Sequence, residues 1–217
     1  MNAVIRQTKD GSLTIYLPHI DEHYHSIHGA YTESMHVFIQ NGLLKKLAED
    51  KYEINILEIG LGTGLNVLLT IENGKKRKIT YTGLEPYPLE ENILQQVYFE
   101  KGYSAKVFSE IHHSNFNETI RLAENFDFLK SKQRLEDFKP VVKYDLIYFD
   151  AFGPRVQPEI WSLENFQKLY LATSPGGILV TYCSKGDVRR TMILAGFIVE
   201  KLPGPPGKRE MLRAVKQ

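Results

Sequence analysis

Cysteine is nearly absent: Cys183 stands alone among 217 residues. One thiol excludes an internal disulfide and suits a reducing compartment. Also missing is any run of about 18 apolar residues, the minimum for a membrane-spanning helix. The N-terminus, MNAVIRQTKDGS, has no apolar signal core. These absences lead us to expect a cytoplasmic protein with no membrane partner. Net charge is small, +1 at pH 7. That excludes nucleic-acid binding by bulk charge but leaves room for a local basic face, because the electrostatic footprint depends on clustering. There is no repeat, low-complexity tract or interdomain linker. At this length the chain suits one domain, or one domain with an appendage.

What is present is an alternation of two rhythms. Residues 3–18 alternate apolar and polar around Lys9-Asp10-Gly11, which predicts a β-hairpin. A helical pattern follows from Thr32, with Thr32 or Ser34 as cap candidates and Asn41-Gly42 as a possible interruption. We assign residues 1–50 to an N-terminal hairpin-and-helix extension and 51–217 to the main domain. From Ile54 onward, buried strands alternate with helices: INILEIG, then GLNVLLTIENG; KITYTGLE, then PLEENILQQVYFEKG; YDLIYFD, then SLENFQKLYLATSP; GGILVTYC, then KGDVRRTMILAG; and two closing strands. Between the second helix and YDLIYFD we expect a helix over Asn117–Glu124 and a strand at FDFLKSK. The pattern predicts an α/β domain with a largely parallel sheet.

In open α/β sheets ligands sit beyond the carboxyl ends of the strands. The first main strand runs into Gly60, Gly62 and Gly64, between Glu58 and Asn66. Glycines there let the backbone approach a ligand and open the next helix; a tight turn without ligand is the plain alternative. The second strand ends at Glu85, placed to take both ribose hydroxyls of an adenosyl group, although a loop carboxylate at that spot can also be merely solvated. Two details favour S-adenosylmethionine over a dinucleotide. The turn lacks the GxGxxG spacing, and Glu58, inside the strand, repels a pyrophosphate but suits an ammonium group. The strand ending in Asp150 brings a carboxylate to the same rim, matched to a cationic donor; the plain alternative is a helix cap.

LEIGLGTGLN, YFDAFGPRVQPEIW, PGGILVTYCSKGDVRR and GPPGKREM, with HGAYTESMHVFI as lead-in, together resemble the methyltransferase domain of the MnmC family, whose stand-alone form is called MnmD. The resemblance implies a Rossmann-like S-adenosylmethionine-dependent methyltransferase fold with a reversed C-terminal hairpin. It implies N-methylation of the aminomethyl group of a modified wobble uridine in tRNA, 5-aminomethyl-2-thiouridine becoming 5-methylaminomethyl-2-thiouridine. It also implies that Gly60, Gly62 and Gly64 form the donor loop, Glu85 the ribose contact and Asp150 the active-site carboxylate. Two-domain relatives carry an FAD-dependent oxidase, so we expect no FAD here. The adenine contact departs from the usual acid: Lys132 or Gln133 falls at that position, with Glu136 and Asp137 a few residues on.

An amine with a pKa near 10.4 is neutral in only about one molecule in 2,500 at pH 7, so the reaction needs a proton acceptor. Asp150 is the first candidate and Glu33 the second. Glu58 and Asn66 join the donor-binding set. For the tRNA anticodon region, Arg155, Lys185, Arg189, Arg190, Lys208 and Arg209 are candidate phosphate contacts, and Phe152 and Trp161 are candidate stacking surfaces. A solvated charge is the plain reading of each cation, and a core role that of Trp161. His19, His23, His25, His28 and His36 crowd the N-terminal quarter, but their spacing matches no standard zinc pattern, and we expect no metal. Cys183 reads as a buried, inert thiol. The rival functions are a spermidine-synthase-like aminopropyltransferase, a noncatalytic RNA-binding module on the same fold, and a dehydrogenase.

Overall fold

The structure is a computed structural model describing residues 3–49, 51–74, 77–97 and 105–217. The N-terminal strands β1 (Val4–Gln7) and β2 (Leu13–Leu17) form the expected antiparallel hairpin, and β3 (Glu22–His23) extends it to three strands. Helix α1 spans Ala30–Ser34, continues as a π-helix over Met35–Leu43 and ends as α2, Leu44–Leu47. It starts two residues before Thr32. The turn is capped by Asp10 instead, whose carboxylate accepts both the backbone N–H and the hydroxyl of Thr32. Asn41-Gly42 does not interrupt the helical run. A Cβ on Gly42 would lie 3.1–3.4 Å from the side chains of Val180, Leu146 and Tyr148, so the glycine lets the π-helix rest close on the sheet.

The main sheet is built from β4 (Glu53–Ile59), α3 (Leu65–Asn73), β5 (Lys78–Leu84), α4 (Glu91–Leu94), α5 (Ala105–His113), β6 (Thr119–Ala123), β7 (Phe126–Ser131), β8 (Tyr144–Phe149), α6 (Leu163–Ala172), β9 (Thr173–Thr181), α7 (Gly186–Leu194), β10 (Ile198–Pro203) and β11 (Glu210–Val215). Its strand order is β10-β11-β9-β8-β4-β5-β7-β6. Strands β9, β8, β4, β5 and β7 run parallel. At one edge β11 runs antiparallel to both β9 and β10, giving the expected reversed hairpin. At the other, β6 runs antiparallel to β7.

That second edge corrects one expectation. Residues 117–124 are not helical. Thr119 and Ile120 favour extended backbone as β-branched residues, and they pair with Leu129 and Phe128 of β7. The helix of this region lies earlier, at α5. The helix expected over PLEENILQQVYFEKG appears as the short α4, and residues 98–104 lie outside the described residues.

Side chains alternate across the sheet, and the alternation sorts the core into two layers. Ile54, Ile56, Leu146, Tyr148 and Val180 face α3 and the π-helix; Leu57, Ile59, Ile147, Phe149 and Leu179 face α6 and α7. By the same parity Glu58 and Asp150 lie on the α3 side. Neighbouring β4 and β8 are followed by crossovers to opposite sides, so the rim between them is the topological switch point of the sheet. Among the described residues no helix is long and apolar enough to cross a membrane.

Candidate active site

The rim opens into a cavity of about 440 Å³. Its floor is the turn after β4, Gly60 to Gly62. Gly60 has φ +89°, and a Cβ there would lie 2.6 Å from the Asp150 carbonyl oxygen, so only glycine lets the two strand ends approach this closely. Gly62 has φ +51° and its added Cβ would press on the Tyr24 ring at 3.2 Å. Gly64 also lies in the left-handed region, at φ +73°, but it starts α3 and packs toward Ile111 instead of lining the cavity. Its role is to turn the chain into the helix, which corrects its assignment to the ligand itself.

Glu85 faces this turn. Its carboxylate accepts the Gly62 N–H at 2.8 Å and the Tyr87 N–H at 3.0 Å. Burial pushes its pKa up to about 7, against the lowering effect of those two bonds. Each oxygen keeps a further acceptor site, the chemistry that a ribose diol requires. Beyond β7, Gln133, Arg134, Leu135 and Glu136 form a wall of the cavity.

Asp150 stands opposite, immediately after β8. Asn66, 2% exposed, spends both amide hydrogens on carboxylates, donating to Asp150 Oδ2 and to Glu58 Oε1, each at 2.8 Å. Tyr81 donates to the second Glu58 oxygen at 2.8 Å. Glu58 is fully buried and does not line the cavity. Its expected contact with the donor is therefore corrected: it braces Asn66 from below. Burial pushes Glu58 up to about 8 although Asn66 and Tyr81 hold it down. Asp150 is raised well above the ordinary carboxylate range by burial, then by Glu58 and Glu33, with Asn66 and Lys208 opposing.

The roof was missed in the sequence. Tyr24, His25, Ser26, Ile27 and His28 from the N-terminal segment line the cavity together with Tyr182 and Gly207. His25 Nε2 lies 2.8 Å from the Thr63 hydroxyl, which ties the roof to the glycine turn. Glu33 lines the cavity and accepts the Ser26 N–H at 3.1 Å. The crowded histidines of this region were the available signal, but the sequence weighed them only as metal ligands, a reading their spacing did not support, and no other role was given to them. Among the described residues no group of three or more His, Cys, Asp or Glu is placed to hold a metal ion.

The expected tRNA contacts divide. Phe152 lines the cavity, its ring edge-on to Tyr24 at 5.1 Å. Trp161 does not: it is 5% exposed, packs on Phe149 at 4.6 Å and donates its indole N–H to the Phe152 carbonyl at 2.9 Å. It has no free face for a base, and its role is to hold the loop carrying Phe152. Lys208 is corrected from phosphate contact to cavity residue: Nζ meets Glu33 Oε2 at 2.5 Å and sits 3.8 Å from the Tyr182 ring centroid. Arg155 is exposed but engaged by the Ile20 and Asp21 carbonyls and by Glu22 at 3.0 Å. Arg190 pairs with Asp187. Lys185 and Arg209 are exposed, and Arg189 is half-buried with an unpartnered Nε. Cys183 is buried, and burial raises its thiol pKa.

A glycine turn after the first parallel strand, an acid after the second and an acid after the fourth, all on one rim, define the class of α/β enzymes that bind an adenosyl donor for group transfer. The chain belongs to the S-adenosyl-L-methionine-dependent methyltransferase family, whose sequence profile matches residues 89–217. Its residues fit that donor: positive-φ glycines clear space beside Glu85, and Asp150 lines the same cavity as a carboxyl group able to meet a cationic ligand. The chain is 28% identical over 91% of its length to the tRNA 5-methylaminomethyl-2-thiouridine biosynthesis bifunctional protein MnmC of Cupriavidus metallidurans. It is 29% identical over 94% to that of Leptospira interrogans. It spans about a third of the length of these relatives, 32% and 34%. Among solved structures, MNMC2 from Aquifex aeolicus superposes with a TM-score of 0.82 at 22% identity, covering 100% of this chain and 70% of that one. Spermidine synthase from Thermotoga maritima superposes at 0.56 and 11% identity, covering 99% and 68%. Both structures share the fold.

Proposed function

We propose that this chain N-methylates the aminomethyl group of a modified wobble uridine in tRNA, converting 5-aminomethyl-2-thiouridine to 5-methylaminomethyl-2-thiouridine. The observation that carries this reading is Asp150. It is a carboxylate facing the cavity across from Glu85, in a chain aligned nearly end to end with part of proteins named for that tRNA modification. The donor, when bound, supplies a methyl group on a positively charged sulfur.

Gly60 and Gly62 hold the donor's backbone-facing side, and Glu85 takes its ribose. Asp150 draws a cationic amine into the cavity and accepts its proton; carboxylates otherwise too acidic for this exchange are brought closer to an amine by burial. Asn66 fixes the Asp150 carboxylate in one orientation. Phe152 and Tyr24 line the cavity, and a base turned out of an anticodon loop can lie against an aromatic face there. Arg189, Arg190, Lys185 and Arg209 are the cations left for phosphate contact. On this reading the protein works in the cytoplasm with tRNA as its partner and uses neither a flavin nor a metal.

The test is methyl transfer from S-adenosylmethionine to tRNA bearing 5-aminomethyl-2-thiouridine, read by nucleoside mass spectrometry. A gain of one methyl at the wobble base is expected, with no product on tRNA already methylated. Preference for decarboxylated S-adenosylmethionine would replace methylation with aminopropyl transfer, the reaction of the spermidine synthase that shares this fold.

A further inference from the structure

Lys208 sits in a turn between β10 and β11, yet its Nζ meets Glu33 Oε2 of α1 at 2.5 Å, 175 residues away in sequence. The surroundings hold this pair in place. Gly207, at φ +86°, has no room for a side chain: a Cβ would fall 2.1 Å from the His28 ring, so the turn is pressed against the roof. His36 Nε2 lies 2.8 Å from the Pro203 carbonyl oxygen, at the start of the same turn. Glu33 Oε1 accepts the Ser26 N–H at 3.1 Å, next to His25, whose ring meets the Thr63 hydroxyl in the glycine turn. Both members of the pair line the cavity, and neither is saturated: an ammonium has donors, and a carboxylate acceptor sites, beyond those used here. The wall therefore presents a positive and a negative group side by side.

Strand order shows which end of the cavity this is. Along the rim come the segment after β7, Glu85 after β5, the glycine turn after β4, Asp150 after β8 and Tyr182 after β9. β11 runs antiparallel, so the turn that precedes it lies at the same rim, beyond Tyr182. The Tyr182 ring centroid is 3.8 Å from the Lys208 ammonium, and the Tyr182 hydroxyl donates at 2.8 Å to the carbonyl of Ala151, next to Asp150. A second cation–anion pair, Arg134 with Glu136 at 3.4 Å, stands at the opposite end, beyond β7. Its side chains are 50% and 35% exposed, against 31% and 9% for Lys208 and Glu33. An S-adenosylmethionine whose ribose meets Glu85 sends its base and its amino-acid end away from the ribose on opposite sides. The amino-acid end is joined to the sulfur, and the sulfur must lie near Asp150 to hand a methyl group to an amine there. That end is a zwitterion, an α-ammonium beside an α-carboxylate, the mirror of Glu33 beside Lys208.

Resting on the donor of the proposed reaction, we propose that Glu33 and Lys208 hold the donor's amino-acid end, Glu33 taking the α-ammonium and Lys208 the α-carboxylate. Lys208 is thereby the residue that distinguishes the intact donor from its decarboxylated form, which keeps the amine and lacks the carboxylate.

The experiment is calorimetric titration, without tRNA, of parent and variants with S-adenosylmethionine, decarboxylated S-adenosylmethionine and 5′-methylthioadenosine, which lacks the whole amino-acid end. The parent should bind the intact donor about ten- to a hundredfold more tightly than the decarboxylated one, as a charge-assisted hydrogen bond allows. Lys208→Met should abolish most of that preference and leave methylthioadenosine binding as it is, whereas Lys208→Arg keeps the charge and should keep the preference. Glu33→Gln should weaken both amine-bearing donors and spare methylthioadenosine. If Lys208→Met does not fold, Lys208→Gln carries the same expectation. A parent indifferent to the carboxylate overturns the proposal. So does an equal loss for all three ligands, the sign of a merely structural turn, an unmoved preference in Lys208→Met, or a preference that disappears in Arg134→Gln instead. A protein that shows the expected preference yet methylates no tRNA sinks the tRNA reading and leaves the clamp standing. One that methylates the tRNA while Lys208→Met keeps the preference sinks the clamp alone.

Discussion

Glu85 accepts the backbone N–H of Gly62 at 2.8 Å, so the end of β5 and the turn after β4 are locked to one another across the cavity floor. The bond places a carboxylate and a glycine turn at one rim, and the donor assignment depends on it. Glu85→Ala should weaken S-adenosylmethionine binding by about 1–3 kcal/mol, the loss typical of charge-assisted hydrogen bonds. Calorimetric titration measures this directly. Parental affinity in the variant would remove Glu85 from the ribose.

Buried acids make stability depend on pH with a definite sign. Glu58 in the folded protein holds its proton up to about 8, against an ordinary value of 4.5. Between those values the native state binds more protons than the unfolded one, so stability falls as pH rises from about 4.5 to 8, by a few kcal/mol at most. Glu85, raised to about 7, adds to the fall over the lower part of that window. Denaturant unfolding at a series of pH values should show the decline, and Glu58→Gln should flatten it. A parental slope in Glu58→Gln would remove Glu58 as its source.

Asp150→Asn keeps shape but removes the proton acceptor. Turnover should drop by about 10²–10⁴, the usual worth of a positioned acid–base group, with donor affinity changing far less. Raising the pH should restore part of the rate, because more of the amine is then already neutral. A collapse of donor affinity with no recovery at high pH would make Asp150 a donor-binding group instead.

Trp161→Ala should cost about 3–5 kcal/mol of stability, as large-to-small core substitutions of aromatics do. Thermal or urea unfolding reads it out. A variant of parental stability that binds tRNA poorly would return Trp161 to the role of stacking surface.

Alanine at Arg189, Arg190 or Arg209 should weaken tRNA binding and lower the slope of log affinity against log salt by about 1 for each true phosphate contact. Donor affinity should stay as it is. Unchanged slopes in all three would move the tRNA to another face. Lys208 leaves this group because Glu33 already neutralises it.

The parallel strands and their helices were legible because each buried strand is a short apolar run closed by glycine, acid or proline. Ile54–Ile59 and Leu146–Phe149 give their positions away without any tertiary information. The rim acids were legible for the same reason: a strand that ends in Glu85 or Asp150 leaves the carboxylate at the sheet's edge. Glu58 misled because strand position alone does not say which side chain reaches solvent. Parity puts it on the α3 side, but only Asn66 and Tyr81, brought in by the fold, show that it is sealed beneath the cavity. Trp161 misled because an aromatic after a proline-rich loop looks exposed until Phe149 and Phe166 close over it. Lys208 was hidden altogether, since its partner Glu33 lies in the first helix and no local pattern links them. The strand at Thr119–Ala123 escaped because its pairing with β7 overrides a polar stretch with no clear period of its own.

The cavity borrows its roof from residues 22–28 and its inner cation from residue 208, and β11 is wedged between β10 and β9. Residues 22 to 212 must therefore all have left the ribosome before the chamber exists. A nascent chain that has completed β4, β5, β7 and β8 already owns Gly60, Glu85 and Asp150, yet it lacks the Lys208 ammonium that pairs with Glu33 and the strand that closes that flank of the sheet. The pair β10 and β11, with the turn between them, is what turns a set of correctly placed acids into an enclosed cavity.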